Sequence, residues 1–486
     1  MIESGMEIDL SQAPPRVRNL EEAQALIDAL WALARSLQQQ VESQAKLIEA
    51  QARRIEILEE KLNTNSHNSS RPPSSDQGKR TPPKTPNGRK RGAQHGHEGK
   101  GRVLYAEADI TARHDCYPEP RCTCGGTVGA WRLSKRHQVV DLPQIKPQVT
   151  EYRLHAGRCE CCEKYHEAPL PAGVSGRMAG PGLLALMGTL TGGYRLSKRQ
   201  VQGLLEDVFH IEVSVGAISQ SEAQLSEMLA PAVAQAHAYV RQSAVVHADE
   251  TGHNEKGMRQ WMWVAIAGWV SVFMARASRS ADQARNLLGA DFAGILVSDR
   301  YAAYGWMPAH RRQVCWAHLQ RDFTRIAERS DRAGRIGMAL LDNTQRMFAF
   351  WYRVRDGTMG RGTFAMHMQF LSAQIEAGLH EGGSCGESRT ENTCKQILKV
   401  REALWTFVHQ PDVEPTNNLA ERSLRSYVIW RKISFGSQSH RGSRYMERVM
   451  AVVGSCKLQG RNVLDFITQT VRARFGDGKA PRLVPA

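Results

Sequence analysis

The sequence predicts a multidomain α+β protein with a long N-terminal helix, a cysteine-rich module and an α/β core interrupted by a helical insertion. Three observations predict it. Apolar residues follow an unbroken 3,4 alternation up to residue 62, cysteines gather in two groups between 116 and 162, and after 244 β-branched runs end on acidic residues. At 486 residues the chain exceeds what one hydrophobic core holds, so three or four domains are expected.

The first element is a coiled-coil helix over 16–62. With position a at Leu20, the a residues are Leu20, Ile27, Ala34, Val41, Ile48, Ile55 and Leu62, and the d residues are Ala23, Leu30, Leu37, Gln44, Gln51 and Leu58. An ordinary surface helix drifts out of such a repeat. Ile and Val at a with Leu at d favour a parallel pair, and Arg54 at g faces Glu59 at e of a second copy, so a homodimer is expected. The alternative is a helix packed on its own chain.

The stretch "NTNSHNSSRPPSSDQGKRTPPKTPNGRKRGAQHGHEGKG" (63–101) is too polar to bury a core and reads as a disordered basic linker. Its Lys79, Arg80, Lys84, Arg89, Lys90 and Arg91 suit sequence-independent phosphate contact. The whole chain carries a net charge of +15, which fits a polyanionic partner. The most apolar run, "GLLALMGTL", is far short of the roughly 20 residues that span a bilayer. No basic start followed by an apolar run marks a secretory signal, so a cytoplasmic chain with reduced cysteines is expected.

Reduced cysteines favour metal ligation. In the module at 102–175, Cys122 and Cys124 precede two glycines, strand-like "RHQVVDL" and "QVTEYRLHA" follow, and then come Cys159, Cys161 and Cys162. Two pairs on tight turns suit a tetrahedral Zn²⁺ site of ribbon type held by Cys122, Cys124, Cys159 and Cys162. The first pair is one residue shorter than C-x-x-C, leaving Cys116, Cys161 or His166 as substitutes. Residues 176–240 read as helical and resemble a helix-turn-helix, with Ser214 capping the second helix; plain scaffolding is the competing reading.

From 241 to 435 the pattern is a core. "AVVHADET" reads as a strand ending on Asp249, "QWMWVAIAG" and "VSVFMARAS" as two more, "GILVSDRYAAYGW" as a buried strand ending in Asp299 before a helix, and "QVCWAHLQRDF" as a short strand running into a helix. Strands carrying acids into one place fit a ribonuclease H-like α/β core, with a helical insertion near 332–410 and a C-terminal helical region at 436–486. Phosphodiester chemistry with two metals needs carboxylates to hold two Mg²⁺ ions about 4 Å apart, and hard oxygen ligands suit magnesium. Late in the core, "PTNNLAERSLRS" raises a choice for Glu421. Asn418 and Glu421 have capping-box spacing, so the acid is either a helix cap or a third ligand.

"HADET", "SDRYAAYGW", "CWAHLQRDF" and "NNLAERSLRSYVIWRKISFGSQSHRGSRYMERVMAVVGSCKLQGRNVLDFI", with "NSHNSSRPPSSD" after the zipper, resemble the transposases of the insertion sequence 66 family. The resemblance implies a DDE transposase that binds the inverted-repeat ends of its own element and performs metal-dependent strand cleavage and transfer. It implies Asp249, Asp299 and Glu421 as the catalytic, magnesium-binding acids, with Asn418 capping the Glu421 helix. Arg422, Arg425, Arg431, Lys432, Arg441 and Arg444 are expected along the DNA path. Cys315 and His318 form a C-x-x-H word shared by several such transposases and read as support near the site. Transposon-end and target DNA, a second copy of the chain and small accessory proteins of the same element are the implied partners. The alternative is a catalytically inactive transposase-derived DNA-binding regulator.

Overall fold

The structure is a computed structural model that describes residues 16–69, 76 and 102–485. The linker cations Lys79, Arg80, Lys84, Arg89, Lys90 and Arg91 lie outside the described residues. In chain order the elements are α1 (Leu20–Asn63), strands β1 (Ala156–Arg158) and β2 (Tyr165–Glu167), helices α2 (Pro181–Gly188), α3 (Lys198–Phe209) and α4 (Val215–Gln242). Strands β3 (Val245–Glu255), β4 (Met258–Ala267) and β5 (Val270–Arg276) follow, then α5 (Ala281–Leu288), β6 (Ile295–Ser298) and β7 (Arg312–Val314). Helices α6 (Trp316–Ala327), α7 (Asp331–Arg355), α8 (Arg361–Gly382), α9 (Ser388–Leu398), α10 (Thr406–His409), α11 (Asn418–Ser434), α12 (His440–Leu458) and α13 (Val463–Arg474) complete the chain. No described helix is long and apolar enough to cross a membrane.

The chain divides into two compact units. One joins the described residues before 80 to Trp316–Lys399, and the other joins residues 102 to Cys315 to Val400 onward. In the first unit the heptad forms one helix of 44 residues, started by the Asn19 side chain, which accepts the Glu22 N–H at 2.8 Å. Ile27, Leu37, Val41, Ile48 and Ile55 along its seam are exposed. Helices α6 to α9 bury Phe323, Leu340, Met347, Phe364, Leu371 and Ile397 among themselves. The linker is not featureless from its start. Asn65 and Asn68 bond the backbone of 63–69, and Asn68 Nδ2 donates to Glu328 Oε2 at 2.6 Å just past α6. Asx side chains folding on their own backbone explain this order where no apolar core exists.

In the second unit a mixed sheet of five strands has the order β5-β4-β3-β6-β7. β3, β4 and β5 pair antiparallel, while β6 is parallel to β3 and β7 to β6. The β3–β4 turn uses Lys256 (φ 51°) and Gly257 (φ 78°), a twist that suits a tight hairpin. Trp263, Val264, Ile266 and Leu296 are fully buried, and α2, α4, α11, α12 and α13 supply the rest of the same core through residues such as Leu184, Leu225, Tyr427, Val449 and Ile467. The helical segments 176–240 and 436–486 therefore pack on the sheet as part of one body. β5 is an edge strand, and α12 covers it. Ser455 Oγ accepts the Ser271 N–H at 3.0 Å and Glu447 Oε1 accepts the Ala275 N–H at 2.6 Å, taking up donors that an open edge would expose.

Three local expectations change. β3 does not end at Asp249 but runs on to Glu255, because β4 pairs with it along that whole length. Only a 3₁₀ turn at Ala302–Tyr304 follows β6, where Asp299 Oδ1 accepts the Tyr301 N–H and starts a turn instead of a helix. "RHQVVDL" and all but the end of "QVTEYRLHA" form no strand among the described residues. Pro143 and Pro147 lie between those two stretches, and Val139, Leu142 and Val149 are exposed, so a sheet there gains no buried face.

Candidate active site

Strand periodicity sets the first acid. Along β3, His247, Asp249 and Thr251 share one face and Ala248 and Glu250 the other. The parallel register pairs His247 with Val297; extended by two residues it sets Asp249 opposite Asp299 at the end of β6. Glu421 comes from α11, which packs on β3. Burial pushes the Asp249 carboxyl well above its usual range, and the charges of Glu250, Asp299 and Glu421 push it the same way. Asp249 thus senses both other acids, yet among the described residues the three do not close into a cluster with one oxygen of each within 4.8 Å of the others.

The cap expected for Glu421 is absent. Asn417, not Asn418, is the N-cap residue, and its side chain makes no cap bond; Asn418 is already helical and exposed. Glu421 sits one position past the capping-box acid, where its N–H bonds the Asn417 carbonyl at 3.2 Å. The Asn417 side chain turns instead to β3, donating from Nδ2 to the Ala248 carbonyl at 2.8 Å.

Behind the acids lies a second buried set that sequence reasoning missed. Glu250 is completely covered at its side chain, accepts Arg279 Nε at 2.7 Å, and accepts the Tyr304 hydroxyl. Arg279 also lies over the Tyr301 ring at 3.6 Å. Burial, then the Asp299 charge, raises the Glu250 carboxyl, while Tyr304 and Arg279 oppose that rise. The available signal was its place next to Asp249 in "HADET"; the partners, 29 and 54 residues away, were not legible.

The cationic residues separate into two kinds. Arg422, Arg425, Lys432 and Arg441 are exposed on α11 and at the start of α12. Arg431 is engaged, donating to the Gly252 carbonyl and to Thr251 Oγ1, so it pins α11 to β3. Arg444 pairs with Glu447 at 2.9 Å. Lys198 pairs with Glu222 at 2.9 Å and ties α3 to α4, whose N-cap is Ser214. Cys315 ends β7 and is buried, and His318 lies on α6 of the helical unit.

The cysteines form two separate knuckles. Cys122 and Cys124 share a turn closed by the Cys122 N–H to the Gly126 carbonyl at 2.9 Å, and Cys159 and Cys162 lie in the β1–β2 turn. Hydrogen bonds within each turn lower the thiols of Cys122 and Cys159, from Cys124 and from Cys162 respectively. Among the described residues no three of these sulfurs lie within 4.8 Å of one another.

Carboxylates are hard oxygen donors, so Asp249, Asp299 and Glu421 are the groups here that could hold a hard cation of the kind used on phosphates. The particular family follows from comparison. The family described as Transposase IS66 family matches residues 176–445, and the chain belongs to it. A family of unknown function matches residues 12–103. Uncharacterized protein y4qI of Sinorhizobium fredii (strain NBRC 101917 / NGR234) is 29% identical over 266 residues, 48% of each chain. Uncharacterized protein y4hP of the same organism is 24% identical over 409 residues, 75% of this chain and 72% of the relative. The chain thus spans about half the length of the first of these relatives.

Proposed function

We propose that the chain is a DDE transposase that binds the inverted-repeat ends of its own insertion sequence, cleaves a strand there and joins it to target DNA. The observation that carries this reading is that Asp249, on β3, feels the charges of Asp299, just past the end of the neighbouring β6, and of Glu421, on the α11 helix that packs on β3. The sheet order, three antiparallel strands and then two parallel ones, supports a ribonuclease H-like core. The acids fit divalent magnesium: they are hard oxygen donors, and a cation would relieve the repulsion that Asp249 feels from its neighbours. Bound there, such ions supply activation of the attacking oxygen and stabilisation of the leaving oxygen.

This chain's own residues do the remaining work. Arg422, Arg425, Lys432, Arg441 and Arg444, with the linker cations, grip phosphate without reading sequence. The α3–α4 pair presents a helix for base contact. Cys122, Cys124, Cys159 and Cys162 would hold Zn²⁺ once the two knuckles meet, and the exposed seam of α1 takes a second copy, which brings two transposon ends together. Action on DNA places the protein at the nucleoid. Full-length Asp249→Asn and Asp299→Asn, assayed on labelled transposon-end DNA with Mg²⁺, should bind the end and fail to nick it. Nicking retained by either variant overturns the assignment, and a wild type that binds ends without nicking favours the inactive regulator.

A further inference from the structure

We propose that Asn417 is the positioning residue that holds the three acids in register; the proposal rests on Asp249, Asp299 and Glu421 being the catalytic set. An asparagine at a helix N-cap ordinarily turns its side chain back to the helix's own free N–H groups. Asn417 makes no such cap bond. It is 1% exposed, and every polar atom of the residue reaches toward a segment that carries an acid. Nδ2 donates to the carbonyl of Ala248, the residue before Asp249, at 2.8 Å, and Oδ1 meets His247 Nδ1 at 3.2 Å. The backbone N–H donates to Cys315 Sγ at 3.2 Å, and the Cys315 N–H donates to the carbonyl of Ser298, the residue before Asp299, at 2.8 Å. The Asn417 carbonyl accepts the N–H of Glu421 itself at 3.2 Å.

A single buried residue thus touches β3, the end of β7 next to β6, and the first turn of α11. From one side chain the carboxamide offers a donor to the Ala248 carbonyl and an acceptor to His247 Nδ1. Aspartate has the same shape but no donor, and it sets a negative oxygen against the Ala248 carbonyl. Groups that orient metal ligands through such bonds typically change metal affinity or activity by about 10–100-fold when altered.

The test uses full-length Asn417→Asp and Asn417→Ala with Asp249→Asn alongside. Three quantities are measured: Mn²⁺ binding by electron paramagnetic resonance without DNA, the Mg²⁺ dependence of end nicking, and the thermal midpoint. Positioning predicts a folded Asn417→Asp that binds end DNA normally, binds Mn²⁺ about 10–100-fold more weakly, and nicks partly again at high Mg²⁺. Folded variants with wild-type Mn²⁺ affinity and Mg²⁺ dependence overturn the proposal. If neither Asn417 variant folds, Cys315→Ala unties the arm toward Ser298, and unchanged Mn²⁺ binding there overturns it as well. Should Asp249→Asn keep both binding and nicking, the acid assignment itself fails. Should Asp249→Asn lose both while Asn417→Asp keeps both, only the positioning role fails.

Discussion

The hydroxyl of Tyr427 on α11 hydrogen-bonds His253 Nδ1 on β3, with the two rings edge-on at 6.0 Å between centroids. His253 Nε2 continues to Ser443 Oγ at 2.9 Å, and Ser443 donates on to Glu255, so the chain of donors needs a neutral imidazole protonated at Nε2. This contact holds α11 to β3 beyond Glu421, as Asn417 holds it before Glu421. Past the end of α11, Gly436, at φ 95°, lets the chain turn back along β3 where a Cβ would lie 2.3 Å from the Asn254 carbonyl oxygen.

Acid should therefore loosen the site's frame. Burial lowers both His253 and His247 to about 4, against about 6.5 in an unfolded chain. A depressed histidine adds stability that is complete above about pH 6.5 and is lost as pH falls toward 4, each contributing about 3 kcal/mol at most. Urea midpoints measured from pH 7 to pH 4.5 should fall, and His253→Asn should flatten that fall while lowering the midpoint at pH 7. An unchanged slope in the variant contradicts this account.

The metal-free acid cluster should destabilise the fold at neutral pH. Asp249 is raised, so its stabilising protonated form is complete below about pH 4 and is lost as pH rises through its folded value. In chelator at pH 7, Asp249→Asn should melt about 2 °C or more above wild type. Added Mg²⁺ should raise the wild type and leave the variant nearly unmoved. A variant that melts lower in chelator, or that responds to Mg²⁺ like wild type, counts against a shared cation site.

Glu421→Gln should leave the fold alone. Because Glu421 is not the capping acid and Asn418 makes no cap, the melting midpoint should stay within a few degrees of wild type. Metal-dependent nicking should disappear, since a neutral amide poorly replaces a charged ligand of a hard cation. A Gln variant that cuts like wild type removes Glu421 from the site.

Purified full-length protein should carry about one zinc per chain with Zn–S near 2.3 Å. Cys159→Ser and Cys122→Ser should each lose it. Absorption spectroscopy that finds no zinc–sulfur shell in protein prepared without chelator leaves the two knuckles as unlinked turns.

Carboxylates at two a positions should separate the dimer. Ile27 and Ile48 are 56% and 65% exposed, so aspartate at either costs the single chain little packing but cannot pair in a coiled-coil seam. Sedimentation equilibrium of full-length Ile27→Asp/Ile48→Asp should give a monomer where wild type gives a dimer, with unchanged circular dichroism. A wild-type monomer at micromolar concentration and above removes the seam as an interface.

Features set by local pattern were legible in the sequence. The heptad from Leu20 gives α1, the β-branched runs around Val246, Val264, Val272 and Leu296 give four strands of the sheet, and Ser214 caps α4 as read. Period and propensity act within a few residues, so they survive without knowledge of the partner. The family was legible in its ordered words. Which polar group each buried side chain meets was decided only by tertiary structure. Asn417 finds Ala248 across 169 residues, Tyr304 finds Glu250 across 54, and Arg431 finds Gly252 across 179. Nothing local distinguishes Asn417 from Asn418. The difference arises because the fold brings the Ala248 carbonyl and His247 to one of them, and a buried polar group left without its partner costs about 1–3 kcal/mol.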